Sequence, residues 1–253
     1  MELKGKKAIV TGGGQSIGKS IALGLARAGA DVIIQYRSAK SEKSVLQVVQ
    51  EIQDLGRNAL AIQADFMIEN APENFMAACV DAFKTPDILV NCSAGYEYAL
   101  FLDITPDLFS SMQKINIEIP LRLIQAFARD LIKRNAPGSV INISSFFSLK
   151  PEPGNALIAC SKAGVNILTK CAALELGPHH IRVNAIAPGR TETPSNQSLM
   201  EDKKKWQNII DKTPLGRAGH PDDYVGLAVL LASDASSWIT GVLIPCDGGS
   251  TIN

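Results

Sequence analysis

The stretch at residues 6–29, KKAIVTGGGQSIGKSIALGLARAG, constrains the fold more than any other part of the chain. Ala8, Ile9 and Val10 form a short apolar run that reads as a buried strand. A glycine-rich turn follows, from Gly12 to Gly18. Ile17, Ile21 and Leu25 then recur at helical spacing up to a stop at Gly29. A strand, a glycine turn and a helix in that order make a phosphate cradle. The turn lets backbone N–H groups approach a pyrophosphate, and the helix N-terminus offers unpaired donors and a positive dipole end.

The same alternation continues along the chain. Further strands are predicted at residues 31–35, 58–63, 87–91, 138–145, 181–187 and 242–245. Helices are predicted at residues 41–56, 72–83, 106–134, 155–177 and 221–233, the third of them interrupted around Ile119 and Pro120. Strands alternating with helices predict an α/β fold of Rossmann type, a doubly wound parallel sheet with helices on both faces. Ligands of such sheets bind at the carboxyl ends of the strands. A length of 253 residues fits one domain, and no linker, long-period repeat or low-complexity block divides it. The polar, lysine-rich segment at residues 193–214 suits a lid over substrate.

Lysine plus arginine and aspartate plus glutamate both number 25, so the formal net charge is zero. That balance carries no basic excess toward nucleic acid. The five cysteines are scattered, with no C-x-x-C pair and no Cys/His metal spacing, so no metal site is expected. An odd cysteine count suits a reducing compartment. The N-terminus reads as running straight into the first strand without a leader. No apolar stretch approaches the ~20 residues that span a bilayer. The expectation is a soluble, cytoplasmic protein without membrane or nucleic-acid partners.

The turn Thr11-Gly12-Gly13-Gly14-Gln15-Ser16-Ile17-Gly18 resembles the T-G-x-x-x-G-x-G turn of the short-chain dehydrogenase/reductase family, with Ser16 where the family has its middle glycine. The resemblance covers essentially the whole chain and implies a nicotinamide nucleotide cofactor. It places Thr11, Gly12, Gln15, Ser16, Ile17 and Gly18 at the pyrophosphate. It places Arg37 and Ser38 at the adenosine ribose. An acidic residue there would hold the 2′-hydroxyl of NAD, whereas Arg37 suits the phosphate of NADP, so NADP(H) is preferred with NAD(H) as the alternative. Asp65 matches the family's adenine contact. Read from the residues alone, Arg37 is equally a solvated surface arginine and Asp65 equally a cap of the next turn. Asn91 and Gly95 bound a cofactor loop one residue longer than the family's usual Asn-Asn-Ala-Gly. Pro188, Gly189 and Thr193 match the loop that holds the nicotinamide carboxamide and pyrophosphate.

In this family a tyrosine phenol gives a proton to the substrate oxygen, and a lysine four residues later lowers that phenol's pKa and holds the nicotinamide ribose. A spacing of four puts both on one helix face. Lys162 matches the lysine, Ser145 matches the serine that bonds the carbonyl oxygen, and Asn116 matches a structural asparagine. The tyrosine position is Ile158, which has no proton to give. Dienoyl-CoA reductases of the same family also lack this tyrosine and carry one two residues after the serine, but that position here is Phe147. The longer loop at residues 91–95 and the Ser-Trp-Ile-Thr-Gly run at residues 237–241 support a partial similarity to that branch. Tyr96 and Tyr98 stand as candidate acids on the cleft rim, with Cys160, Glu97 and a held water as weaker ones.

Three readings follow. One is a reductase of a small-molecule carbonyl substrate with a non-standard proton donor, which is the reading preferred. The second is hydride addition to a conjugated carbon with Lys162 and Ser145 stabilising an enolate. The third is a catalytically inactive nucleotide binder acting as sensor or partner subunit. By resemblance the protein is also expected to form a homo-oligomer, a tetramer or dimer.

Overall fold

The computed structural model describes residues 2–253. The chain runs β1 (Lys7–Thr11), α1 (Ser16–Arg27), β2 (Asp31–Tyr36), α2 (Glu42–Asp54), β3 (Ala59–Gln63), α3 (Ala71–Phe83) and β4 (Ile88–Asn91). It continues through α4 (Pro106–Gln113), α5 (Ile119–Lys133), β5 (Gly138–Ile143), α6 (Ala156–Leu176) and β6 (Ile181–Pro188). It ends with α7 (Gln197–Glu201), α8 (Lys203–Asp211), α9 (Val225–Ala232) and β7 (Leu243–Cys246). The seven strands make one parallel sheet in the order β3-β2-β1-β4-β5-β6-β7. The strand order reverses between β1 and β4, and that reversal opens a crevice at their carboxyl ends.

The period of two along each strand sorts the core into two layers. Ala8, Val10, Val32 and Ile34 turn to one face, against Ile21 and Leu25 of α1, Val45 and Val48 of α2, and Ala228 and Leu231 of α9. Ile9, Ile33, Leu89 and Val140 turn to the other, against Phe75 and Cys79 of α3 and Leu123 and Phe127 of α5. Because both faces are covered, the central strands are apolar at almost every position.

The expected interruption near Pro120 and the segment at residues 193–214 each take a definite form. The long helical region breaks one turn before Pro120: residues Lys114–Glu118 form a π-turn and α5 resumes at Ile119. Proline has no N–H, so the carbonyl four residues earlier, that of Asn116, loses its α-helical donor and the ladder widens just ahead of it. The segment at residues 193–214 holds two short helices, α7 and α8. The stretch Ala156–His179 also has the length and apolar composition of a membrane span, contrary to expectation, but half of it is buried inside the fold. Its apolar character serves the core, where α6 packs on β6.

Candidate active site

Gly12 has φ +63°, a left-handed turn that frees its N–H to donate to Gln35 Oε1 at 2.9 Å. Ser93 Oγ donates to the same oxygen at 2.9 Å, and Gln35 Nε2 donates to the Ala64 carbonyl at 2.7 Å. Gln35 therefore ties three loops together at the strand ends. In sequence it was visible only as a missing acid. At Gly18 a Cβ would stand 2.3 Å from the Gly12 carbonyl oxygen, so only glycine lets the helix start this close to the turn. Ser16 has φ +52°, so a residue with a Cβ occupies a left-handed position that glycine adopts without strain.

A cleft of about 560 Å³ opens above this turn. Gly12, Gln15, Ser16, Ile17, Gly18, Arg37, Ser38, Asp65, Gly95, Pro188, Gly189 and Thr193 line it, as do Tyr96, Ser145, Ile158 and Lys162. Thr11 and Asn91 do not line it. Thr11 Oγ1 accepts from the Cys92 and Ser93 N–H groups at 2.9 and 3.0 Å. Asn91 Nδ2 donates to Asn142 Oδ1 at 2.9 Å. The Thr11 hydroxyl is thus held by two wall N–H groups, while Asn91 Oδ1 is buried with no hydrogen-bond partner among the described residues. At the cleft rim Arg37 Nε lies 3.2 Å from Asp65 Oδ2. Asp65 Oδ1 also accepts from the Met67 N–H at 3.0 Å, so it caps its turn while facing the cleft.

The left-handed Gly12, the close packing of Gly18 on that turn and the α1 N-terminus fit a dinucleotide pyrophosphate. The residues that would hold it are those of the glycine turn, with Arg37 and Ser38 at one end of the cleft and Pro188, Gly189, Thr193 and Lys162 at the other.

Lys162 is buried and donates from Nζ to the Ile143 carbonyl at 2.8 Å. Burial disfavours its charged form and pulls its pKa down from 10.5 to about 8, against a smaller upward pull from Cys92. Ser145 lies two residues beyond β5, and its Oγ accepts from the Phe147 N–H at 3.2 Å. Ile158, one helical turn before Lys162 on α6, is 5% exposed and packs with Met112, Phe146, Phe147 and Leu157.

Asn116 is fully buried and does not reach the cleft. Its Oδ1 accepts from the Gly95 N–H at 3.0 Å, and its Nδ2 donates to the Gly95 carbonyl at 3.1 Å and to Ser161 Oγ at 3.0 Å. The π-turn thus points Asn116 at the Gly95 backbone, making it a positioning residue. Of the two tyrosines only Tyr96 lines the cleft, donating from its hydroxyl to Asn155 Oδ1 at 2.9 Å. Burial raises the Tyr96 pKa, and nearby Arg190 opposes that rise. Tyr98 stands outside the cleft with its ring pressed on Gly154, where no Cβ would fit.

Sequence reasoning missed Arg190, two residues beyond Pro188. Its guanidinium lies 4.6 Å from the Phe147 ring centroid and 5.6 Å from that of Phe146, and it lines the cleft. An arginine directly after the Pro-Gly pair was the only signal, and its neighbours at residues 146, 147 and 152 are distant in sequence.

Comparison with known proteins gives a consistent picture. A family profile described as Enoyl-(Acyl carrier protein) reductase matches residues 12–251. An L-rhamnose 1-dehydrogenase (NAD(P)(+)) of Sphingomonas sp. is 34% identical, over 99% of this chain and 98% of its own length. A 2-dehydro-3-deoxy-D-gluconate 5-dehydrogenase of Pseudoalteromonas atlantica is 36% identical, over 98% of this chain and 96% of its own. The crystal structure of a gluconate 5-dehydrogenase from Burkholderia cenocepacia, in complex with NADP and tartrate, superposes with a TM-score of 0.93 at 31% identity, covering 100% of this chain and 97% of the other.

Proposed function

The chain belongs to the short-chain dehydrogenase/reductase family, and on that premise we propose that it is an NADP-preferring oxidoreductase acting on a carbonyl substrate with a proton donor other than residue 158. The observation that carries the reading is Lys162, a buried ammonium that lines the cleft together with Ser145, above a glycine turn in which Ser16 replaces one glycine. A lysine is rarely kept buried without work to do.

A bound nicotinamide supplies or accepts hydride. Lys162 holds the ribose hydroxyls and adds positive charge near the reacting oxygen. Ser145 Oγ orients the substrate carbonyl. Tyr96 delivers the proton: of the two tyrosines it alone lines the cleft, and Arg190 opposes the rise in its pKa that burial causes. NADP preference rests on Arg37, 69% exposed at the rim, and on the absence of a carboxylate at the end of β2. NADP is the nucleotide in the Burkholderia structure. Apolar side chains at Trp238, 99% exposed, and at Leu174 and Ile167 suit a homo-oligomer.

A second reading is favoured by Ile158, whose apolar packing leaves no titratable group one turn before Lys162. Under it the protein binds nucleotide without turning over. Calorimetric titration with NADPH and then NADH, followed by a screen of carbonyl substrates with wild type and Tyr96→Phe, separates the two. Tighter NADPH binding with turnover that collapses in Tyr96→Phe is expected. NADPH binding with no turnover on any carbonyl supports the binder. Failure of both nucleotides to bind at millimolar concentration ends both readings.

A further inference from the structure

Arg190 lines the cleft and holds down the pKa of Tyr96, but the reaction outlined above gives its guanidinium no ligand. Its side chain is only 13% exposed, and its guanidinium lies over the Phe147 and Phe146 rings. Nη2 donates to Glu152 Oε2 at 2.7 Å. Its Nε is buried and has no acceptor among the described residues. A buried guanidinium with one nitrogen satisfied and another left over is not a finished structural ion pair.

We infer that Arg190 is the anchor for a carboxylate on the substrate, and that Glu152 is the stand-in for that carboxylate when the cleft holds no substrate. The inference rests on the reading of this cleft as a reductase site and names the class of molecule it takes.

Four observations carry it. The planar guanidinium matches a carboxylate through two parallel hydrogen bonds, and Glu152 supplies only one. The rings of Phe146 and Phe147 hold the guanidinium by its face, so its orientation is set before a ligand arrives. Glu152 is 43% exposed, so it returns to water readily and leaves a charge that an incoming carboxylate replaces one for one. The walls nearby are Phe146, Phe147 and Ile158, all buried apolar side chains that keep water from weakening the new pair. Those walls also favour a carbon body that is apolar rather than a bare polyol. The cofactor-phosphate end of the cleft has its own arginine, Arg37, which leaves Arg190 for the other ligand.

The test is calorimetry on protein saturated with NADP+, which cannot reduce a keto acid, so binding is read without turnover. Benzoylformate and 2-oxohexanoate are each titrated against their own methyl esters. The acids are expected to bind at least about tenfold more tightly than the esters, since breaking such a partly buried charge pair is costly. Arg190→Gln should erase that preference, Arg190→Lys should keep part of it, and Glu152→Gln should strengthen acid binding by removing the competitor. NADP+ affinity should stay unchanged in all three, and melting curves report whether each variant is folded.

The absence of any acid preference in the wild type, or its survival in Arg190→Gln, overturns the inference. So does a folded Arg190→Gln that loses NADP+ affinity, since Arg190 then serves the cofactor. Should the wild type fail to bind NADP+, the oxidoreductase reading falls. The same titrations without nucleotide then decide the anchor alone: a preference that depends on Arg190 sustains it, and no preference removes it.

Discussion

Ile158 and Lys162 stand one helical turn apart on α6 and line the same cleft, yet they face it with opposite chemistry. Lys162 sends its ammonium to the Ile143 carbonyl, 2.8 Å away, while Ile158 packs against Phe146 and Phe147. If a phenol is the only part missing from a simple ketone reductase, Ile158→Tyr should raise NADPH-dependent ketone reduction by at least about tenfold. Enlarging a packed side chain should cost about 1–3 kcal/mol of stability, visible as a lower melting temperature. An unchanged rate in a folded variant would show a site specialised for another donor.

Lys162 also sets a pH dependence. Its pKa in the folded chain, about 8, lies below the ordinary 10.5 because burial disfavours the charge. NADPH affinity should therefore weaken as pH rises through about 8, and Lys162→Met should show no such step. Stability runs the other way. Between about 8 and 10.5 the unfolded chain binds this proton and the folded chain does not, so this group makes the fold more stable as pH rises across that window. Denaturation at pH 7.5 and pH 10 in both proteins, compared as a difference, isolates the effect.

The glycine turn gives opposite expectations at two neighbouring positions. Gly18→Ala puts a Cβ 2.3 Å from the Gly12 carbonyl oxygen, so it should reduce NADPH affinity by about a hundredfold and destabilise the fold by about 2 kcal/mol or more. Ser16→Gly relieves a left-handed residue at φ +52° and should stabilise the protein by up to about 1 kcal/mol. Paired calorimetry and denaturant melts check both.

Removing Asn116 strips the partners from both backbone groups of Gly95. Asn116→Ala should cost about 2–4 kcal/mol in urea unfolding, because buried polar groups left without partners pay their full desolvation. Turnover should fall as well, through a displaced Gly95 loop.

Arg37→Gln should weaken NADPH binding by roughly tenfold while leaving NADH nearly unchanged, because only NADPH carries the 2′-phosphate. The difference should shrink with added salt, since the side chain is exposed.

Much of this architecture was legible in the residues. Short apolar runs marked all seven strands, and the glycines between positions 12 and 18 located the cradle, because a strand covered on both faces and a φ > 0 turn each restrict residue type locally. Thr11 and Asn91 were read as ligand contacts, and the structure shows Thr11 Oγ1 held by Cys92 and Ser93 and Asn91 Nδ2 held by Asn142. Those partners are far away in sequence, so nothing local distinguishes a wall residue from a lining one.

The sequence by itself determined the layer order, the cradle and the absence of a proton-bearing side chain at residue 158, since each depends on residue type at a local spacing. Only the tertiary structure decided which of two tyrosines reaches the cleft, and that Gln35 ties three loops together. It alone brought Arg190 onto Phe146 and Phe147 with Glu152 at its edge. Those outcomes depend on where separate loops meet above the sheet, and that meeting is set by packing across the whole domain.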